Sequence, residues 1–366
     1  MKKVAIIVQT AAPYRDRIIE TYINNTNDKI FTDIYLINTQ EKSMHPEWEY
    51  TSPLNFKNLR EKEPIKTFYG TLDFEIIKKL IRGGYDSILI SGWFPATSLI
   101  IELYCIIFNK RFSVMLDSVE INKKTRTLAH LILNKAYSIF VPGNMSKNFL
   151  ISEGVPENKI YKGIYTNDNE KIYNIIESKK IERNHIRDQY GLKENDFCFL
   201  FVGKLIPTRR IGNLLKAIDR QTEVSKYLIV GDGPDLELVN DFAIDHSNVI
   251  HLSSVPLENL HELYAIADAY IHPGKEPFSL ALVEAAIAGL PIVSTDEVGA
   301  AYDVIKQNQN GIIVPFDSVS ELTIAIERVR KGEMNINAIE KEQKILTNQY
   351  NIKWAAEQLE KVLDVE

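Results

Sequence analysis

Cysteine is almost missing from this chain: only Cys105 and Cys198 occur. Each sits inside an apolar run, the pattern of buried free thiols in a reducing compartment, so a disulfide scaffold is excluded. There is no Gly/Ser or Pro tract and no repeat of fixed period, which excludes flexible linkers and solenoids. Long apolar runs are also absent. The longest after the first strand, Ala96 to Phe108, holds 13 residues including Glu102, short of the roughly 20 that cross a bilayer as a helix. Met1-Lys2-Lys3 followed by Val4–Val8 is too short for a signal peptide and reads as a buried strand. A cytoplasmic protein is therefore expected, with any membrane contact peripheral at the inner face. No Asp-x-Asp occurs and the seven His are scattered, so no metal site is expected. No basic stripe with interleaved aromatics marks a nucleic-acid partner.

What is present is globular. The chain has 366 residues, 45% hydrophobic and 25% charged, too long for one ordinary core and suited to two domains. Its charge is unevenly spread. Residues 1–170 carry 22 Lys and Arg against 19 Asp and Glu, a net +3, and the remainder 21 against 30, a net −9. Phosphate binding in the acidic half needs its few cations placed deliberately; the basic half suits an anionic surface or acceptor.

Short β-type runs alternate with helical ones. In the first half the expected strands are Val4–Val8, Thr32–Ile37, Ser87–Ile90, Ser113–Leu116 and Ile139–Val141. Helices are expected near Arg15–Asn24, Phe74–Arg82, Thr97–Phe108 and Thr125–Lys135. The rhythm breaks at 163–195, where the polar turn Asn167–Glu170 leads into one charged helix ending at Gly191. It restarts at the strand Phe197–Val202 and runs on through alternating strands and helices. Strands separated by crossover helices imply parallel sheets covered on both faces, with ligands at the carboxyl ends of the strands. The expected division is an α/β domain over 1–165, joined by a C-terminal helix at 350–366, and a second over 166–349.

Three segments carry chemistry. The first runs from His272 through Glu276, Pro277, Phe278, Ser279 and Leu280 to Glu284, Gly289 and Pro291. A strand ends, a loop carries Glu276, and a helix opens whose unpaired N–H groups suit phosphate or sugar oxygens. Around Glu284 the helix has no solvated face, so this carboxylate needs strong hydrogen bonds. A ribose diol supplies them; so does a core partner. Eight helical residues span about 12 Å, which fits two points on one elongated ligand better than a facing hydrolytic pair. The second segment, Gly203-Lys204 to Pro207-Thr208-Arg209-Arg210, offers three cations after a strand. They suit a diphosphate or form a solvated charged loop. The third, Gly231-Asp232-Gly233-Pro234, is a tight strand-to-helix turn without the full dinucleotide spacing.

In this order and spacing the three segments resemble the retaining GT-B glycosyltransferases of family 4, specifically over about 197–315 and more loosely elsewhere. The resemblance implies two Rossmann-like domains facing across a cleft, the C-terminal helix packing back on the first, and no cofactor beyond a nucleotide-sugar donor. It implies that Lys204 and Arg209 hold the diphosphate, Glu276 the transferred sugar and Glu284 the ribose. The backbone of Gly203, Gly231, Pro277, Phe278, Ser279 and Leu280 would cradle the donor, with Ser254 and Val255 bordering the base. The acceptor, a saccharide or lipid-linked saccharide, would lie on the N-terminal domain by Tyr14 and Arg15. Four departures stand out, one being that no Gly-Gly loop follows the first strand. Arg210 and Ser279 occupy positions where glycine is frequent, and Asp117 or Ser118 stands where the family often supplies a His. Two other functions use the same scaffold: a nucleotide-sugar epimerase and an inactive transferase-like binding subunit. The basic, apolar stretch Asn122–Lys135 fits either an anionic membrane or a surface helix over the core.

Overall fold

The computed structural model describes all residues except 38–50, 58–64, 68–69, 93–95, 118, 164, 223, 254 and 364–366. The chain divides into two compact units, Met1–Thr166 with Ile352–Glu366, and Asn167–Asn351.

The first unit is built on a parallel sheet. Its strands are β1 (Lys2–Val8), β2 (Ile30–Leu36), β5 (Ser87–Ser91), β6 (Phe112–Met115), β7 (Ile139–Val141) and β8 (Ile160–Lys162), in the order β2-β1-β5-β6-β7-β8. A separate antiparallel pair, β3 (Ile65–Thr67) and β4 (Gly70–Leu72), interrupts the rhythm. The central strands are almost continuous apolar runs because both faces are covered. On one face Ala5, Ile7, Ile88, Ile90 and Val114 meet the helices Phe74–Gly83, Ala96–Ile107, Arg126–Lys135 and Asn144–Ser152. On the other, Val4, Ile6, Val8 and Leu89 meet the helices Pro13–Thr26 and Ile352–Leu363. The C-terminal helix is thus part of the first core. Its last carbonyls, left without intrahelical donors, are served from the sheet: Ser113 and Ser138 hydroxyls donate to the Val362 carbonyl at 3.0 and 2.6 Å.

The second unit repeats the design with β9 (Cys198–Val202), β10 (Lys226–Val230), β11 (Val249–Leu252), β12 (Ala269–His272), β13 (Ile292–Thr295) and β14 (Gly311–Val314). They are all parallel, in the order β11-β10-β9-β12-β13-β14. The single charged helix expected before β9 is two, Asn169–Lys180 and Arg183–Gln189. The break lets Arg183 and Arg187 turn onto Asp268, and Arg187 onto the Ile266 carbonyl at 2.7 Å. The chain order reverses between β9 and β12, so the loops after these two strands lie side by side. Such a switch point is where open α/β sheets bind ligands.

Candidate active site

The loop after β9 and the loop after β12 are pressed together backbone to backbone. Glycine makes this possible. A Cβ on Gly274 would stand 2.3 Å from the Arg209 backbone; on the other side of the β9 loop, one on Gly231, just after β10 and at φ +150°, would stand 1.9 Å from the Gly203 carbonyl oxygen. Hydrogen bonds then fix the arrangement: Gly203 N–H donates to the Val230 carbonyl at 3.0 Å, and Lys275 N–H to the Thr208 carbonyl at 2.8 Å. Gly299, not expected from the sequence to matter, admits the Pro277 carbonyl where a Cβ would sit 1.9 Å away. Its N–H donates to the Glu276 carbonyl at 2.9 Å, so the Glu276–Phe278 loop is held on both sides.

Side chains converge on that frame. Arg209 Nη2 lies 2.6 Å from Glu276 Oε1, and Nη1 donates to the Lys275 carbonyl. A guanidinium has five N–H donors, so Arg209 is anchored by two and its Nε–H is buried without a partner among the described residues. The other Glu276 oxygen faces His272 Nε2 at 3.1 Å. With Nδ1 of His272 turned to the Gly274 N–H at 3.4 Å, Nε2 carries the hydrogen donated to Glu276. Burial alone would push the Glu276 carboxyl up. The His272 hydrogen bond, the Arg209 charge and the Ser279 hydroxyl outweigh it and hold the group below the usual carboxylate range. Glu276 is therefore a fixed anion. Of the three cations in the loop after β9, Lys204 is exposed and makes no ion pair among the described residues. Arg210 turns away and pairs with Asp317 at 2.7 Å.

The helix after this loop is Leu280–Ile287, capped by Ser279, whose hydroxyl faces the Leu282 N–H at 3.4 Å. It is buried nearly all round, and so is Glu284. The partners of Glu284 are neutral: Asn167 Nδ2 donates to its Oε1 at 2.8 Å, and Tyr264 supplies a further hydrogen bond. Burial, only partly offset by Tyr264, raises this carboxyl to about 7. Tyr270, wholly buried on β12, is the common neighbour, since its hydroxyl feels the charges of Glu276, Glu284 and Arg209. Lys204, Arg209, Glu276 and Glu284 thus belong to one end of one sheet, as do the backbones of Gly203, Gly231, Pro277, Phe278, Ser279 and Leu280. Val255 is buried after β11, two strands from β9, and Ser254 lies outside the described residues.

Both departures from glycine fall where glycine has a physical advantage. Arg210 has φ +51° and Ser279 φ +95°, backbone that side chains disfavour.

In the first unit the other candidates also meet. The Tyr14 and Tyr165 rings make an edge contact at 4.7 Å, and the Tyr165 hydroxyl donates to Asp117 Oδ2 at 2.6 Å. Arg15 is buried, paired with Asp16 at 3.1 Å and bonded to the Thr10 carbonyl. Ser118 lies outside the described residues. Sequence reasoning missed His272, Tyr270, Gly299, Asn167 and Tyr165. Only His272 carried a signal, standing at a strand end four residues before Glu276.

Comparisons with known proteins agree with this geometry. The family described as glycosyl transferases group 1 matches residues 182–352. N-acetyl-alpha-D-glucosaminyl L-malate synthase of Bacillus anthracis is 27% identical over 206 residues, 53% of this chain and 53% of that protein. Alpha-monoglucosyldiacylglycerol synthase of Acholeplasma laidlawii is 24% identical over 209 residues, 55% of this chain and 48% of that protein. The chain thus spans about half the length of the curated relatives it matches. Likeness of fold extends further. Anabaena Alr3699/HepE, solved with UDP and glucose, superposes with a TM-score of 0.71 at 15% identity, covering 100% of both chains. WaaG, a glycosyltransferase involved in lipopolysaccharide biosynthesis, superposes with a TM-score of 0.69 at 16% identity, covering 99% of this chain and 100% of that one. With the reversed strand order, the glycine-thinned loop pair and the motif spacing all in place, residues 182–352 match the family of glycosyl transferases group 1, within a chain of GT-B fold.

Proposed function

We propose that the protein is a retaining, metal-independent glycosyltransferase of hexosyl type, drawing on a nucleotide diphosphate sugar to extend a saccharide or lipid-linked saccharide at a membrane face. One observation carries this reading: at the switch point of the second sheet, an exposed Lys204, without an ion pair among the described residues, stands in the same loop as Arg209, which is anchored on Glu276 of the neighbouring loop. Lys204 and the free N–H groups of Arg209 meet the diphosphate. Glu276, held ionised, accepts hydrogen bonds from hydroxyls of the transferred sugar, and Glu284 receives the ribose diol. In the reaction the bond from the anomeric carbon to the diphosphate oxygen breaks and a bond from the acceptor oxygen to that carbon forms on the same face. The acceptor's proton goes to the departing phosphate. The two cations stabilise the charge that develops there, an electrostatic contribution largest in a preorganised site. On the first unit, Asp117 with Tyr14 would receive the acceptor, beside the buried Arg15–Asp16 pair. The solved neighbour with UDP and glucose supports a nucleotide-sugar donor.

The test is a thermal-shift screen of UDP-, GDP- and other nucleotide sugars, followed by product analysis with and without acceptor. A bound donor raises the midpoint by mass action, about 2.7 kcal/mol at a hundredfold excess over Kd. No shift with any nucleotide sugar overturns the reading. A new sugar isomer formed from donor alone makes the protein an epimerase instead, and binding without turnover makes it a non-catalytic subunit.

A further inference from the structure

The helix Ala96–Ile107 is built inside out. Its buried side carries Thr97, Ser98 and Glu102 beside Ile101 and Cys105. Thr97 donates to the Thr71 carbonyl at 2.7 Å and Ser98 to the Ser91 carbonyl at 3.2 Å. Both Glu102 oxygens are buried with no hydrogen-bond partner among the described residues. The rest of the helix is apolar from end to end. Leu99, Tyr104 and Ile106 lean on the core, Ile100 is exposed, and Ile107 and the following Phe108 are 73% and 62% exposed. A water-facing helix normally has the reverse arrangement, and contiguous exposed apolar surface marks a docking face.

Charge decides what docks there. The helix Arg126–Lys135 packs alongside and adds Leu131, 42% exposed. Both helices return between parallel strands, so they run in the same direction. Ile107, Phe108, Lys110 and Lys135 therefore share one end, with Lys123 and Lys124 near the other. Residues 96–137 carry six Lys and Arg against three Asp and Glu, and one of the three is the buried Glu102. Lys110, Lys123, Lys124 and Lys135 are exposed and make no ion pair among the described residues. An apolar stripe bordered by free ammonium groups matches an anionic bilayer, which offers acyl chains and phosphates together. We propose that this face docks on an anionic lipid surface, with Ile107 and Phe108 at the headgroup–acyl boundary and the four lysines among the phosphates. This gives the membrane contact of the preceding reading a location, and rests on that part of it alone.

Cosedimentation of the full chain with vesicles tests the inference, without any donor. The wild type pellets with vesicles of phosphatidylcholine mixed with an equal part of phosphatidylglycerol. With phosphatidylcholine alone, or in high salt, binding falls by about tenfold or more. Ile107→Asp with Phe108→Asp abolishes binding, and Lys110→Glu with Lys135→Glu weakens it about tenfold. Ile181→Asp, at a position 87% exposed in the other unit, leaves it unchanged, and circular dichroism verifies that each variant is folded. Lys204→Ala keeps vesicle binding, so failure of the transfer reading and failure of this one are separable. The proposal is overturned if the wild type ignores the mixed vesicles or if the Ile107 and Phe108 variant binds them as well as the wild type. It is overturned equally if that variant turns a dimer into a monomer on gel filtration without altering lipid binding, which gives the face to a second copy.

Discussion

The two sheets have nearly the same winding, yet their switch points differ in kind. Between β9 and β12 the loops are thinned by Gly274 until backbone touches backbone, and the charged groups there are only partly used. Lys204 is exposed with no ion-pair partner among the described residues, while Arg209 is held by Glu276 and the Lys275 carbonyl. Between β1 and β5 the cation that follows the first strand, Arg15, is already committed to Asp16 and the Thr10 carbonyl, both internal. The same topology thus carries an open charge site in one unit and a closed one in the other. Winding supplies the place; the loops decide whether ligand chemistry happens there.

Two substitutions probe that contrast most directly. Lys204→Ala should lower kcat by about 10²–10³-fold with no change in melting temperature, because the side chain is exposed and unpaired. Arg15→Ala should instead cost about 3 kcal/mol of stability, since it strands the buried Asp16 carboxylate that it now faces at 3.1 Å. Melts and steady-state kinetics on both variants are enough. If Lys204→Ala unfolds the protein while Arg15→Ala leaves stability untouched, the contrast between an open and a closed site is wrong.

The next effect separates the two carboxylates within the second unit. Glu284 titrates near 7, so below the unfolded value of 4.5 both states are protonated. As pH rises from 4.5 to 7 the unfolded chain loses its proton first, and the folded state becomes relatively less stable. Glu284→Gln removes this dependence. Its stability relative to wild type should rise across that window by roughly 3 kcal/mol at most, read from melts at pH 5 and pH 8. Nucleoside diphosphate binding should move the opposite way, weaker by about 1–3 kcal/mol at pH 8, because an ionised carboxylate receives the diol. If binding is unchanged, Glu284 is only a core acid held by Asn167 and Tyr264.

Much of the fold was legible because buried parallel strands are unbroken apolar runs. Val4–Val8, Ser87–Ile90 and Ile139–Val141 stand within two residues of the observed strands. The short β8, reading Ile160-Tyr161-Lys162, and the pair β3–β4 lack that signal. The break near Ile181 was hidden because Lys179-Lys180-Ile181-Glu182 contains neither Gly nor Pro, and its cause lies 81–85 residues away at Asp268. In the site, residue types were readable from local constraint: Glu284 declared itself by having only apolar neighbours. Pairings were not. That Arg209 meets Glu276, or that Asn167 meets Glu284, follows from strand order and from a long-range return of the chain, neither of which local spacing encodes.

The smallest effect concerns Ser279, where the backbone itself is the issue. At φ +95° a Cβ is disfavoured, a cost typically of 1–3 kcal/mol where such strain is held at a site. Ser279→Gly should relieve it. Against that stand a few tenths for the lost cap and about 0.4–1 kcal/mol for the freer unfolded chain, leaving a net gain of about 0.5–1 kcal/mol. The hydroxyl, however, also bonds Glu276 and helps keep it ionised. Ser279→Gly should therefore be more stable but less active, whereas Ser279→Ala, which keeps the strain and loses the hydroxyl, should be inferior in both. Melting temperature and kcat/KM for the two variants decide the matter. A glycine variant that gains stability with full activity would show the hydroxyl idle, and one that loses stability would show that the surrounding loops, not the side chain, impose this backbone.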